Sequence, residues 1–269
     1  MLKIWGRKTS SNVQKAMFAI GELKLPYQRI DVGGAFGKNK EPPYLAMNPN
    51  GLVPTLEEDD GFLLWESNSI IRYLAARYGA GTLEPSDLHT RALASKWMDW
   101  QLSVLGPALT PVFWGLIRTP AEQRDHKAIA DGRVKSTAAA KILDEQFAKT
   151  PYTAGDAFSM GDIPIAIMSY RYRELVPERP AFPNFERWYA TIAGRQAFRD
   201  HVYLEQNAAC RFCSYGLVTT SAKINVGDEQ MSVRKYNEVP PIVVNNAVTR
   251  KTPVEKLVGR IRRRLASGG

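Results

Sequence analysis

The chain has 269 residues, of which 44% are hydrophobic and 10% aromatic, enough apolar material for one or two folded domains. The longest apolar runs, Ala16 to Ile20 and Ile163 to Met168, are much shorter than the ~18 residues needed to span a bilayer. We therefore expect no transmembrane helix. The first residues lack the pattern of a signal peptide, and the two cysteines exclude a disulfide framework, which predicts a soluble protein of the cytosol.

The net charge of +9 is unevenly distributed along the chain. Residues 1–205 contain 25 Lys and Arg against 23 Asp and Glu, whereas residues 206–269 contain 11 against 4. Nucleic-acid binding needs clustered cations that release counterions from phosphates. The nearly neutral body therefore predicts no nucleic-acid or membrane partner for residues 1–205, and the partner of the basic tail stays open.

Strand and helix patterns alternate over residues 2–78. In chain order, the patterns predict a strand (2–5), a helix with Val13, Ala16, Met17 and Ile20 on its apolar face, a strand (27–32), a loop (33–43), two strands (51–56 and 62–65) and a helix (67 to about 78). This order predicts a small α/β domain at residues 1–80, followed by a linker at 81–88.

The strand signal disappears between residues 89 and 203, which predicts an all-helical domain. Two apolar stripes have helical spacing: Leu93, Trp97, Trp100 and Val104, then Ala139, Ile142, Leu143 and Phe147. Ser159 and Asp162 predict a capping box, in which each side chain accepts a hydrogen bond from the backbone N–H of the other residue. Residues 204–269 are predicted to be a poorly ordered basic tail whose terminal amphipathic helix begins after Thr252.

Three segments of the first domain place polar groups where strands or helices begin. Hydroxyls between Thr9 and Asn12, before the first helix, are suited to stabilise a bound thiolate, or else they cap the helix. A cis Val53–Pro54 bond would present the backbone to an extended peptide, whereas the simpler alternative is an ordinary proline at a strand entrance. Glu66 and Ser67 are suited to an ammonium and a carboxylate, and the simpler alternative makes Ser67 an N-cap.

Taken together with the Ser-x-x-Asp box of the helical domain, these segments resemble the cytosolic glutathione S-transferase superfamily over about residues 1–203. The segment Thr9 to Val13 is similar to the serine-type pattern of the phi and theta classes, and to a nu-class pattern that also uses Asn12. The loop has no tyrosine or cysteine, so the classes that depend on those residues do not match. The resemblance implies a thioredoxin-like α/β N-terminal domain and an all-α C-terminal domain, with the basic tail as an extension.

The resemblance also implies a set of site residues. Ser10 would be the catalytic hydroxyl, supported by Asn12. The implied glutathione contacts are Asn39 and Lys40 at the glycyl carboxylate, the backbone of Val53 before Pro54 at the cysteinyl unit, and Glu66 and Ser67 at the γ-glutamyl end. Leu52 stands where several classes have glutamine, which removes one side-chain contact. Glutathione would be the co-substrate without a further cofactor, and the protein would be a homodimer.

Other candidate residues have simpler interpretations. The three histidines, His89, His126 and His201, lack ligand spacing, so we expect them to be solvated and expect no metal site. Cys210 and Cys213 form a C-x-x-C without the second pair that zinc would need. Helical spacing favours a core position for the aromatic residues Trp97, Trp100, Phe113 and Trp114. The stretch from Trp114 to Arg118 is nevertheless a candidate wall of an apolar pocket that faces the first domain.

The function expected from these patterns is conjugation of glutathione to small electrophiles in detoxification. A glutathione-dependent disulfide or peroxide reductase stays open, and is favoured if Asn12 rather than Ser10 contacts the sulfur. A non-catalytic interaction module with an acidic partner on its tail is the third alternative. The sequence does not specify the electrophile, because helix packing determines the shape of the pocket.

Overall fold

The computed structural model describes residues 1–203. Cys210, Cys213 and the helix expected after Thr252 lie outside the described residues. The strands are β1 (Leu2–Trp5), β2 (Tyr27–Ile30), β3 (Thr55–Glu57) and β4 (Leu63–Trp65). The helices are α1 (Ser11–Glu22), α2 (Pro42–Met47), α3 (Ser67–Tyr78), α4 (Leu88–Trp100), α5 (Gly106–Phe113), α6 (His126–Phe147), α7 (Asp162–Leu175), α8 (Pro183–Ala193) and α9 (Gln196–His201).

The four strands form one mixed sheet in the order β2-β1-β3-β4. β1 and β2 are parallel, with Leu2 opposite Tyr27, and α1 supplies the crossover that parallel neighbours require. β3 is antiparallel to both β1 and β4. This topology, followed by helices alone from α4 to the end of the described residues, confirms the expected thioredoxin-like α/β region and all-α region.

The strand predicted from Gly51 begins only at Thr55. Residues before it form a turn in which the carbonyl of Leu52 accepts hydrogen bonds from the Tyr44 hydroxyl (2.6 Å) and the Asn48 amide (2.9 Å). A backbone carbonyl that accepts hydrogen bonds from side chains in this way is not available for hydrogen bonds to a neighbouring strand. The predicted loop is also shorter than expected, because α2 starts at Pro42.

Helix α1 contacts helices from both parts of the chain, α3 from the first and α7 and α9 from the second. The predicted apolar face is confirmed, since Val13, Ala16, Met17 and Ile20 are all buried. Burial extends around the helix to include Gln14 and Lys15, which sit among apolar neighbours. The beginning of α1 is thereby held firmly against the helical region.

Helices α4 and α5 belong to one helical run, Leu88–Arg118, in which a π-helical segment, Gln101–Leu105, joins the two helices and a second, Trp114–Arg118, ends the run. By length and composition this run is long and apolar enough to cross a membrane. The sequence analysis did not suggest this possibility, because it considered only uninterrupted apolar stretches. Some of its apolar side chains are buried inside the protein, namely Ala94, Met98, Leu105, Leu109 and Val112, and others, such as Leu93, Leu102 and Val104, are exposed.

The predicted stripe on α4 is largely wrong. Trp97 is buried, but Leu93 and Val104 are 44% and 39% exposed, and Ala94 and Met98 fill the core instead. Spacing alone does not show which of two adjacent apolar faces meets a neighbour, and a π-helical turn shifts the phase of the residues that follow. On α6 the stripe is confirmed except at Ile142, which is 45% exposed.

The capping box before α7 is confirmed in one half. The Asp162 carboxylate accepts from the backbone N–H of Ser159 at 3.0 Å, as predicted. The other half is wrong, because the Asp162 N–H donates to the Ser159 carbonyl and the Ser159 hydroxyl accepts from Gly161. The carboxylate also accepts from the Thr153 N–H and from the Trp188 indole, so it joins three segments of the helical region.

Candidate active site

Ser10 lies at the N-cap position of α1, at the end of the loop that follows β1. Its hydroxyl makes no capping hydrogen bond and has no other partner in the part of the chain that the structure describes. The side chain is 9% exposed and lines a cavity. The capping interpretation therefore does not account for Ser10, whose hydroxyl is placed beside the free N–H groups of a helix N-terminus, where negative charge is stabilised.

The Val53–Pro54 peptide bond is cis, as the functional interpretation of this segment required. The turn that carries Val53 packs against the end of β1 at Gly6, which has a φ of +152°. A Cβ atom on Gly6 would lie 3.2 Å from the Val53 Cβ and 2.5 Å from a Val13 methyl. Only glycine allows this close approach, which brings the Val53 turn next to the loop that carries Ser10.

Asn39 and Lys40 lie beside the turn that precedes Val53. The Asn39 amide donates to the Gly51 carbonyl at 2.7 Å, and the Lys40 ammonium donates to the Asn50 carbonyl at 3.0 Å. Lys40 is exposed, and its ammonium has two further hydrogens to donate. The structure therefore brings both residues to the Val53 turn, where they also hold the turn in place.

Glu66 and Ser67 connect β4 to α3. Ser67 is the first residue of α3 and Glu66 holds the N-cap position, so the alternative in which Ser67 is the N-cap is wrong. Glu66 has a φ of +70°, a conformation that costs a non-glycine residue energy and recurs at functional sites. Buried Ser67 donates to the Asn12 side-chain oxygen at 3.4 Å, which joins this segment to the beginning of α1.

Lys15 is a charged residue of this region that the sequence analysis missed. Its buried ammonium donates to the Gln101 side-chain oxygen at 2.6 Å. Burial lowers the pKa of Lys15 to about 7, and the negative charge of Glu66 opposes that shift. The sequence did contain a sign of this buried charge, since Lys15 lies within the mostly apolar run from Val13 to Ile20.

A cavity of about 210 Å³ lies beside the start of α1 and is lined from both sides. Its walls include Thr9, Ser10 and Ser11 on one side, and Phe113, Trp114, Arg118, Met168, Arg171 and Leu175 on the other. This confirms that the stretch from Trp114 to Arg118 lines a pocket facing the first domain. Trp114 is 55% exposed, so the expectation of a core position is wrong for this residue.

Arg171 is a second residue that the sequence patterns did not reveal. Its guanidinium donates to the Thr9 carbonyl at 3.0 Å and to the Gln14 side chain at 3.4 Å, and it lies over the Phe113 ring. The only sign of this role in the sequence was the presence of an arginine on the apolar face of α7. The contact fixes the loop before Ser10 against the wall of the cavity.

The histidines show no arrangement suited to a metal ion. His89 and His126 are exposed as expected, but His201 is half-buried against the Tyr27 ring, and burial lowers its pKa. Across residues 1–203, no group of three or more His, Cys, Asp or Glu side chains is placed to hold a metal.

Four of the predicted site residues, Ser10, Asn12, Val53 and Ser67, therefore meet around the beginning of α1, and Asn39 and Lys40 adjoin them through the Val53 turn. The arrangement offers backbone groups for an extended peptide, a hydroxyl at a helix N-terminus for an anion, and an aromatic cavity for a second molecule. These are the requirements for holding a thiol peptide and presenting its thiolate to an apolar reactant.

Comparison with known proteins agrees with this geometry. Family models for the N-terminal and C-terminal domains of glutathione S-transferase match residues 9–77 and 105–196. Glutathione S-transferase GstB of Escherichia coli is 42% identical over 205 residues, which are 76% of this chain and 99% of that protein. Glutathione S-transferase 3 of Zea mays is 31% identical over 213 residues, 75% of this chain and 93% of that protein.

Among solved structures, the glutathione-bound theta class glutathione S-transferase of Xanthomonas axonopodis pv. citri is 43% identical, with a TM-score of 0.72. The match covers 76% of this chain and 97% of that one. Glutathione transferase F7 of Populus trichocarpa is 28% identical with a TM-score of 0.65, over 74% and 97% of the two chains. The chain described here belongs to the glutathione S-transferase family.

Proposed function

We propose that the protein is a glutathione transferase that conjugates the glutathione thiolate to small electrophiles. One observation carries the proposal: the Ser10 hydroxyl, unbonded within the described residues, lines a cavity whose walls include the apolar side chains of Phe113 and Trp114. A hydroxyl in this position can donate to a sulfur anion at the point where a second substrate has room to approach. Family membership supports the same activity.

In this mechanism, glutathione lies along the edge formed by the Val53 turn and the start of α3. The Val53 backbone pairs with the cysteinyl unit, Glu66 and Ser67 hold the γ-glutamyl end, and Lys40, next to Asn39, attracts the glycyl carboxylate. Ser10 donates to the thiolate. A free thiol has a pKa near ~8.5, and each unit by which the site lowers it corresponds to about 1.4 kcal/mol of stabilisation of the anion. Glutathione is a co-substrate, and the mechanism uses no other cofactor.

Geometry favours the transferase over the reductase alternative. The reductase alternative depends on Asn12 contacting the sulfur, but the Asn12 side-chain oxygen accepts a hydrogen bond from Ser67. Asn12 is therefore directed toward the γ-glutamyl end of the proposed glutathione position, which supports Ser10 as the sulfur contact. The non-catalytic alternative does not explain why an open aromatic cavity adjoins Ser10.

Glutathione-affinity capture, followed by assays with a panel of electrophiles and disulfides, tests the proposed activity. We expect retention on immobilised glutathione and conjugation of at least one electrophile above the uncatalysed rate. Turnover of disulfides without conjugation of any electrophile would favour the reductase. Binding without either activity would favour the interaction module.

We also propose that the protein is a cytosolic homodimer with a role in detoxification. Exposed apolar residues support self-association: Phe62, Leu63 and Trp65 at edge strand β4 are 37% to 40% exposed, and Leu93 and Leu102 are 44% and 47% exposed. Light scattering should give twice the chain mass, and a Trp65→Glu variant should shift toward the monomer. A wild-type protein of single-chain mass at micromolar concentration contradicts the dimer, and cell fractionation tests the location.

A further inference from the structure

The cavity next to Ser10 carries positive charge as well as aromatic rings. Arg118 lines it together with Arg7 and Arg171, whereas no Asp or Glu is present among its described lining residues. The cavity therefore differs from a plain apolar pocket. Its charge is suited to an anionic group.

Arg118 has hydrogen-bond donors in this cavity that no described residue uses. Its guanidinium carbon lies 5.3 Å from the centroid of the Trp114 ring and 5.7 Å from that of Phe113. Its Nε atom is buried without a hydrogen-bond partner in the described part of the chain, and no carboxylate within residues 1–203 pairs with it. The two rings hold the guanidinium in place, and its N–H groups remain available to a planar anion such as a carboxylate.

The size of the cavity restricts the rest of the ligand. A cavity of about 150 Å³ is enough to hold one benzene molecule, so the 210 Å³ present here has room for a single substituted ring. Trp114, which is 55% exposed, offers an aromatic face for stacking. The reactive carbon of such a ring would then face the Ser10 side of the cavity, and its anionic substituent the Arg118 side.

We propose that the electrophilic substrates of this protein include small aromatic compounds that carry an anionic group, with Arg118 as the residue that recognises the anion. This inference rests on the proposed transferase function and specifies its substrate class. For a chloronitrobenzoate, the glutathione thiolate forms a C–S bond at the ring carbon that bears chlorine. The C–Cl bond breaks, chloride leaves with the bonding electrons, and the thiol proton passes to solvent.

The test compares 4-chloro-3,5-dinitrobenzoate with the neutral 4-chloro-3,5-dinitrobenzamide, each rate being normalised to the uncatalysed reaction with glutathione. We expect the wild-type kcat/KM to favour the benzoate by about tenfold or more, since a hydrogen bond to a charged group is worth about a 10- to 100-fold difference. Arg118→Gln should remove most of that preference. The matched control Arg91→Gln changes a partly exposed arginine outside the cavity, which pairs with Glu84, and should retain the preference.

A second measurement does not depend on catalysis. Calorimetric titration with the unreactive 3,5-dinitrobenzoate and 3,5-dinitrobenzamide should show tighter binding of the benzoate to the wild type, and loss of the difference in Arg118→Gln. Equal binding of the two compounds overturns the inference, as does an equal loss for both in the variant. Conjugation of the benzamide without a preference for the benzoate overturns the substrate class alone. Selective benzoate binding without any conjugation would instead count against the transferase activity.

Discussion

Two serines that precede helices, Ser159 before α7 and Ser10 before α1, have opposite surroundings. The Ser159 hydroxyl and backbone both bond within a buried network centred on Asp162. The hydroxyl of Ser10, which directly precedes α1, bonds to nothing within residues 1–203 and lines a cavity.

This difference distinguishes polar groups that stabilise the fold from polar groups that are available to bind a ligand. A buried polar group stabilises the native state when its partners are present, and removal of one partner leaves the others unsatisfied. A hydroxyl without an internal partner contributes little to stability, so its removal should change the activity rather than the free energy of unfolding. Substitutions in the Asp162 network should therefore lower stability, whereas substitution of Ser10 should lower activity.

The largest expected effect belongs to the Asp162 network. Asp162→Ala leaves the N–H groups of Thr153, Ser159 and the Trp188 indole without their acceptor, and should lower the free energy of unfolding by about 3 to 5 kcal/mol. Urea unfolding measures this change. Ser159→Ala, as the matched control, should cost about 1 kcal/mol, the usual contribution of a hydrogen bond. A change below that value in the Asp162 variant would show that the network does not hold the helical region together.

Ser10→Ala should behave in the opposite way. Stability should change little, whereas kcat should fall by about 100-fold or more with little change in the affinity for glutathione, because the contact strengthens as negative charge develops. Steady-state kinetics and the ultraviolet absorbance of the bound thiolate measure kcat and the pKa of the thiol. A greater loss of activity in Asn12→Ala would transfer the sulfur contact to Asn12 and support the reductase.

Glu66→Ala and Ser67→Ala should affect glutathione binding. Each variant removes a partner of a charged group on the ligand, so each should weaken binding by about 1.5 to 3 kcal/mol. Isothermal titration calorimetry gives the dissociation constants, with Glu122→Ala as a control at an exposed acidic residue outside the site. Unchanged affinity in both variants would exclude this segment from the glutathione site.

Lys15 allows a test by pH. Its pKa in the folded protein is about 7, below the ordinary lysine value of 10.5, so between these limits the unfolded chain binds more protons than the folded one. Stability therefore rises with pH in that window. From pH 7 to pH 9 the wild type should gain about 1 to 2 kcal/mol relative to Lys15→Met. Lys135→Met, at an exposed lysine, is the control, and parallel pH profiles of wild type and Lys15→Met would contradict the shift.

Deletion of residues 206–269 should have the smallest effect. All the proposed glutathione contacts precede Tyr78, so glutathione affinity and the mass of the proposed dimer should match those of the full chain. Calorimetry and light scattering on the truncated protein measure both. Loss of folding or of affinity would show that the tail belongs to the functional body and that the proposed domain boundaries are wrong.

Local sequence signals were sufficient for much of the fold, and the proposed site residues were chosen from the same signals. Strands β1 and β4 and helices α1 and α3 depend on periodicity and on breaker residues, which act over a few positions. Ser10, Val53 and Ser67 stand near the ends of these elements. A helix N-terminus or a free backbone group can bind a ligand there, and this ability does not depend on the surrounding packing. The carboxylate half of the Ser159 to Asp162 box is equally local.

Tertiary packing decided the features that depend on distant neighbours. The buried face of α4, the half-buried position of His201 and the buried charge of Lys15 follow from helices far apart in sequence. The cavity exists because the stretch after α5 comes to lie opposite the start of α1. A periodic pattern identifies an apolar face, but the element that meets this face determines whether a side chain becomes core, cavity wall or surface.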